Sequence, residues 1–206
     1  MKVLLINGSP RKEGCTYTAL KEIAVQLEKN GVDSEFFHLG NSSVAGCTAC
    51  GGCSKGDPCV LNDDVYNRFI KAASSADGYI FGSPVYYANI NASFGCLLDR
   101  AFYSNSKVFF YKPAAAVVSS RRGGSGSAFD RLNKYFTISN MLTVGSRYWN
   151  HVHGNTPEEV KQDLEGLQIM RTLADNMAWV LKMIDQTKET LPHPILDDKI
   201  RTNFIR

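Results

Sequence analysis

Four cysteines, Cys47, Cys50, Cys53 and Cys59, fall within thirteen positions at the spacing C-x2-C-x2-C-x5-C. Thiolates gathered this closely bind soft metals or carry electrons. A secreted disulfide framework spreads its cysteines over a small chain, whereas clustered thiols in a cytosolic protein hold metal or do redox work. Structural zinc usually draws on two Cys-x-x-Cys knuckles separated by about a dozen residues or more. A single compact loop instead matches the wrapping of a cubane iron–sulfur cluster, whose bacterial run reads C-x2-C-x2-C-x3-C. The longer Gly56-Asp57-Pro58 spacer gives Cys59 room to turn back to the same cluster. Gly46, Ala49, Gly51 and Gly52 leave space and free backbone N–H groups. An iron–sulfur cluster, zinc and free thiols all stay open at this point.

A second constellation lies at the N-terminus. Gly8-Ser9-Pro10-Arg11-Lys12-Glu13-Gly14-Cys15-Thr16 leads from an apolar run into a helical pattern. A phosphate needs backbone N–H groups in a concavity, hydroxyl donors and positive charge. A helix N-terminus supplies the first, together with a dipole of about half a unit charge. Ser9, Thr16 and Tyr17 supply hydroxyls, Gly14 supplies close approach, and Arg11 stands ready for a charge-assisted contact. Cys15, at the helix start, is a candidate for a lowered thiol pKa, although a lone cysteine there more often just fills space. The Gly-Lys-Ser/Thr of a P-loop and the Gly-x-Gly-x-x-Gly of a dinucleotide site are both missing.

The elements that must position these groups alternate strand and helix. Strands are expected over 2–6, 34–39, 78–81, 114–118 and 142–144, and helices over 16–29, 65–73, 91–102 and 127–136. Asn62 or Asp63 is placed to cap the second helix. Thr156-Pro157-Glu158-Glu159 is expected to open the longest helix, running to about residue 182. Such alternation argues for an open, doubly wound, five-stranded parallel sheet with helices on both faces. Ligands of such sheets bind at the carboxyl ends of the strands. Residues 7–16, 82–89 and 119–126, rich in Gly, Ser, Pro and Arg, are expected to converge there on one crevice.

With 206 residues the chain suits one α/β domain, expected over 1–185 with the cysteine-rich loop at 41–62, followed by an irregular tail over 186–206. A net charge of +3, without a Lys/Arg run, gives no support to nucleic acid or membrane partners. The apolar run behind Lys2 stops at Asn7-Gly8, shorter than a signal peptide requires, so a cytoplasmic location is expected.

The loop at 8–16 resembles the phosphate loop of the flavodoxin-like NADPH-dependent FMN reductases: strand, Gly-Ser-Pro-Arg, a short spacer and Thr. Gly82-Ser83-Pro84-Val85-Tyr86-Tyr87 is similar to the Ser-Pro-x-Tyr segment that passes beside the isoalloxazine ring in that family. The stretch containing Ser119, Arg121, Gly123 and Gly124 falls where its third flavin loop is expected. The similarity covers residues 1 to about 180, and the cysteine loop looks like that of the iron–sulfur flavoprotein branch. The residues agree with this independently, since a flat ring wants the aromatic faces of Tyr86 and Tyr87 and a turn fixed by Pro84.

The resemblance implies an FMN-dependent oxidoreductase. Its Cys47, Cys50, Cys53 and Cys59 would hold a [4Fe–4S] cluster, and no protein acid or base would be obligatory, because the flavin carries the chemistry. The donor would be NADPH, NADH or a ferredoxin-type protein, and the acceptor a small molecule or protein. Arg121 and Arg122 would bind a nicotinamide phosphate, stabilise the reduced flavin, or sit in solvent. A homodimer or homotetramer is implied in the same way. Two other classes stand beside this one: an electron carrier without a nicotinamide site, and a zinc-bearing binding module. His151 and His153 read as part of a polar loop, Tyr148-Trp149 as crevice or interface residues, and Cys96 as core.

Overall fold

The computed structural model describes residues 1–206 apart from 57, 62, 199, 201 and 203–206. Five elements of parallel sheet appear where periodicity predicts them: β1 (Lys2–Asn7), β2 (Asp33–His38), β3 (Gly78–Pro84), β4 (Pro113–Ser120) and β5 (Leu142–Thr143). All pair in parallel in the order β2-β1-β3-β4-β5, the flavodoxin-type doubly wound arrangement.

Strand sequences alternate between two cores. Leu4, Ile6, Tyr79, Phe81, Ala114, Ala116 and Val118 face one, and Val3, Leu5, Ile80, Ala115 and Val117 face the other. Helices α2 (Asp64–Ser74), α3 (Ala92–Ser104) and α4 (Ser125–Ile138) cover the first face. Helices α1 (Cys15–Lys29) and α6 (Leu164–Thr187) cover the second. Because both faces are buried, β1, β3 and β4 read as nearly continuous apolar runs. Of the two candidate caps for α2, Asp63 accepts from the Tyr66 N–H at 2.9 Å; Asn62 lies outside the described residues.

Two expectations need correction. The long C-terminal helix is broken in two. Thr156 and Pro157 open only a short helix, α5 (Pro157–Val160), and the chain restarts as α6 at Asp163. The Asp163 carboxylate accepts the N–H groups of Gly166 at 2.9 Å and His153 at 2.7 Å, so it caps the new helix and pins it to the sheet. The fifth strand is likewise interrupted. After β5 the chain leaves the sheet and returns as β6 (His151–His153), also parallel to β4, so the two histidines belong to a strand. Asn150 bridges the gap: its side-chain amide donates to the Ala116 carbonyl at 3.0 Å and its carbonyl accepts the Val118 N–H at 3.0 Å. Backbone groups of β4 thereby stay partnered without a continuous neighbour.

Among the described residues no helix is long and apolar enough to cross a membrane.

Gly82 sets how closely α1 approaches the sheet. A Cβ there would lie 2.9 Å from both Leu20 Cδ1 and Thr16 Cγ2, and 3.2 Å from the Ile6 carbonyl oxygen. Gly82→Ala is expected to destabilise the fold by roughly 1–3 kcal/mol through overpacking, measured by urea unfolding with an unchanged slope.

Candidate functional site

The carboxyl ends of β1, β3 and β4 lie side by side, and their loops are joined to one another. The Gly8 N–H donates to the Gly82 carbonyl at 2.8 Å, and the Val85 N–H donates to the Ser119 carbonyl at 3.0 Å. The hydroxyls of Thr16 and Ser119 share a hydrogen bond of 2.8 Å. The three predicted segments thus form one crevice.

The first loop is fixed from below. Asn7, buried at the end of β1, accepts the Ser9 N–H at 3.1 Å and donates its amide to the Lys12 carbonyl at 3.0 Å. His38, at the end of β2, bonds the Ser9 carbonyl at 3.0 Å, and Ser9 Oγ accepts the Arg11 N–H at 3.1 Å. The loop delivers Gly14 as the N-cap of α1, and no side chain caps that terminus. The N–H groups of the first turn are therefore left for a ligand, with the buried hydroxyls of Ser9 and Thr16 beside them and exposed Arg11 at the rim. The chemistry fits a phosphate monoester.

Two expectations at this loop change. Cys15 is partly buried with its thiol directed at the Gly154 carbonyl, 3.6 Å away, and burial raises its pKa against the helix and Arg11. It is not an activated thiol. Tyr17 packs its ring on Phe36, with centroids 5.2 Å apart.

The second loop is a tight two-residue turn. Tyr86 and Asn89 exchange backbone hydrogen bonds of 2.8 and 3.0 Å, which leaves Tyr87 at φ +50° and Ala88 at φ +57°. Positive φ at both central positions suits Asn-Gly far better than Tyr-Ala. The backbone accepts this strain where it presents Tyr87 wholly to solvent beside half-exposed Tyr86. Strain of this kind gathers at ligand clamps. Pro84 ends β3 opposite Ser119. In the third loop Arg121, Arg122 and Gly123 are exposed, and Gly124, at φ +85°, lies against Ala88, where a Cβ would sit 2.9 Å from the Ala88 Cα.

Among the described residues, two buried polar atoms at this end of the sheet have no partner: Ser120 Oγ, at the end of β4, and His151 Nε2 in β6. The ring of His151 meets Phe129 edge-on with centroids 5.3 Å apart, and burial pushes its pKa down. The sequence pattern gave His151 only as part of a polar loop and gave no separate role to Ser120 or to Ser83, whose hydroxyl accepts the Asn91 N–H at 3.1 Å and so ties the second loop to α3. Trp149 and Tyr148 are exposed and share a shallow cleft with Phe129 and Arg147.

The cysteine loop runs from the end of β2 to α2 and lies over α3. Cys47, Cys50, Cys53 and Cys59 line one cavity together with Arg100, Tyr103 and Ser104. Cys47 and Cys50 are exposed, and Cys53 and Cys59 are partly buried. A hydrogen bond from the Gly52 N–H lowers the Cys50 thiol pKa, consistent with the free N–H groups expected of the glycines. Among the described residues no three His, Cys, Asp or Glu side chains converge closely enough to hold a single metal ion. What fits a cluster is the donor set, four soft sulfurs around one cavity. Cys96, expected in the core, is only partly buried and faces Gly46 of this loop.

A flavodoxin-type sheet with an uncapped helix terminus at the strand switch point is the construction of a mononucleotide-binding redox protein. Residues 1–156 match the model of the NADPH-dependent FMN reductase family. An iron–sulfur flavoprotein of Methanocaldococcus jannaschii is 33% identical over 195 residues, covering 89% of this chain and 99% of that one. Another, from Methanosarcina thermophila, is 31% identical over 194 residues, covering 92% and 100%. A flavodoxin from the domain Archaea shares the fold at a TM-score of 0.60 and 13% identity, over 88% of this chain and 99% of that one. The chain belongs to the NADPH-dependent FMN reductase family, in its iron–sulfur flavoprotein branch, and so to the FMN-dependent oxidoreductases.

Two measurements follow from the geometry. Tyr87→Asn combined with Ala88→Gly is expected to stabilise the flavin-free protein by roughly 1 kcal/mol, because left-handed backbone disfavours the native pair; unchanged thermal unfolding would contradict the strain. Because the folded pKa of His151 lies below its ordinary value, the unfolded chain takes up a proton first as pH falls. Stability is therefore fully present above the ordinary histidine range and is lost on acidification through it. His151→Asn is expected to flatten that slope between about pH 5 and 7 in denaturant titrations.

Proposed function

We propose that the crevice holds FMN with its phosphate on the first loop, and that the four cysteines hold a [4Fe–4S] cluster within reach of it. Electrons enter from NADPH, NADH or a ferredoxin-type protein and leave to a small-molecule or protein acceptor. The observation that carries this reading is the uncapped N-terminus of α1, framed by Ser9, Thr16 and Arg11 and stitched to the loops after β3 and β4. Bound FMN would accept a hydride and release electrons singly or in pairs.

The chain's own residues then have separate tasks. The N–H groups of Cys15, Thr16 and Tyr17, the hydroxyls of Ser9 and Thr16 and the Arg11 guanidinium bind the phosphate. The strained turn presents Tyr86 and Tyr87 to one side of the ring, with Pro84 and Val85 at its edge. Ser119, Gly123 and Gly124 close the third side, and Arg121 supplies positive charge at the rim. No side chain needs to move a proton. The exposed Tyr148-Trp149 segment suits an interface between copies of the chain, consistent with a homodimer or homotetramer. A cytoplasmic location accords with clustered free thiols.

Ser9→Ala and Arg11→Ala are each expected to weaken FMN binding about tenfold, the loss of roughly 1.4 kcal/mol for one phosphate contact. Fluorescence titration of flavin into deflavinated protein reads this, and unchanged affinity in both variants would remove the phosphate from this loop. Protein prepared without oxygen is expected to be brown and to contain iron and acid-labile sulfide. A purely yellow spectrum with all thiols reactive would reject the cluster.

A further inference from the structure

One charged side chain of α3 points into the interior. The Arg100 guanidinium is fully buried, in a helix whose other inward residues include Leu97, Leu98, Ala101 and Phe102. A buried guanidinium is held by whatever fills its donors; Nε has no partner among the described residues, so the acceptors of the two terminal nitrogens are informative. All of them lie in or beside the cysteine loop. The carbonyl of Ala45 accepts at 3.4 Å, and the Leu61 carbonyl and the Asp63 carboxylate accept from the other arm and the same arm; Arg100 also lines the cavity of the four cysteines. Ala45 precedes the first cysteine by two positions, and Leu61 follows the last by two. One side chain thus closes both ends of the loop.

Tyr66 completes the grip. Its ring lies under the guanidinium, with the centroid 4.7 Å from Cζ. Its hydroxyl accepts the Cys59 N–H at 3.4 Å and is held in turn by Ser104 at 2.6 Å and by Asn105. Cys59 is therefore fixed through its backbone nitrogen.

We infer that Arg100 is a positioning residue for the cysteine site: it clamps the two ends of the loop and lays a permanent buried positive charge against the cavity that Cys47, Cys50, Cys53 and Cys59 line. Lysine would not substitute, since the task requires a planar fork reaching several acceptors at once. A fixed cation lining the same cavity as the ligand sulfurs favours the more negative, reduced form of the site and so raises its reduction potential.

The inference rests on the cluster reading above, and the first measurement separates the two. Wild-type protein prepared without oxygen that lacks iron and sulfide overturns that reading, and the role of Arg100 with it, before any variant is compared. With the cluster present in wild type, two variants test Arg100 alone, with flavin content and thermal unfolding as controls for folding. Arg100→Met is expected to shift the reduction equilibrium at least tenfold toward the oxidised cluster, about 59 mV for a one-electron couple, in a redox titration followed by electron paramagnetic resonance. Arg100→Lys is expected to keep a potential near wild type but to release iron to a chelator several-fold faster. A wild-type potential in Arg100→Met, or wild-type iron release in Arg100→Lys, overturns the inference. If Arg100→Met fails to fold, iron release from Arg100→Lys decides alone.

Discussion

The carboxyl edge of a parallel sheet is a place where backbone groups run out of partners, and the rest of this structure depends on how that shortage is met. Strands β1, β3 and β4 end together, and each hands over to a loop whose N–H and C=O groups no longer have a ladder to join. Here the loops satisfy one another: Gly8 with Gly82, Val85 with Ser119, and the Thr16 hydroxyl with that of Ser119. Mutual satisfaction makes the loops rigid without filling the space between them. The donors that stay unused, at the start of α1, are the ones a phosphate needs. Binding capacity and loop rigidity therefore have a common origin, and neither requires a dedicated scaffold.

Much of this was legible in the sequence because it is local. Apolar runs of β-branched and aromatic residues ending in Gly mark strands buried on both faces, and the order of elements then leaves few topologies. The phosphate loop was readable for the same reason, since its donors are consecutive residues. What escaped the sequence was set by distant partners. Nothing in Gln162-Asp163 announces a helix break, because Asp163 caps α6 while also receiving the His153 N–H from the sheet. The return of the chain as β6 depends on an Asn150 amide standing in for a missing strand. For Cys15, at a helix start, sequence left an activated thiol and a space-filling one both open, and burial near Gly154 favours the second.

Arg100 is the sharpest case of a site residue that the pattern carried but did not explain. An arginine within Leu97-Leu98-Asp99-Arg100-Ala101-Phe102 breaks an apolar face and deserves a partner, but the acceptors lie about forty to fifty-five positions away. Sequence spacing identified the four sulfurs and was silent on what holds them. Their loop has almost no regular structure of its own, so its shape is borrowed from α2 and α3. This is the expected division for a thiol site, in which ligands are a local motif and the groups that orient them are tertiary.

Helix α3 links the two halves of the proposed electron path. Its N-cap Asn91 is bonded to Ser83 behind the second loop, and Phe94 packs beneath Gly8 of the first. Two residues on, Cys96 faces Gly46; one further turn on, Arg100 reaches Leu61 and Asp63 at the end of the cysteine loop. At about 1.5 Å of rise per residue, the span from Asn91 to Arg100 is roughly 14 Å. A single helix packed tightly on the sheet thus fixes the separation of crevice and cysteine loop. A lid or hinge between the two would let that distance vary, and electron transfer between bound groups would vary with it. With both attachments on the same helix, the distance between crevice and cysteine loop is a property of the fold, while Cys47 and Cys50 of that loop stay exposed.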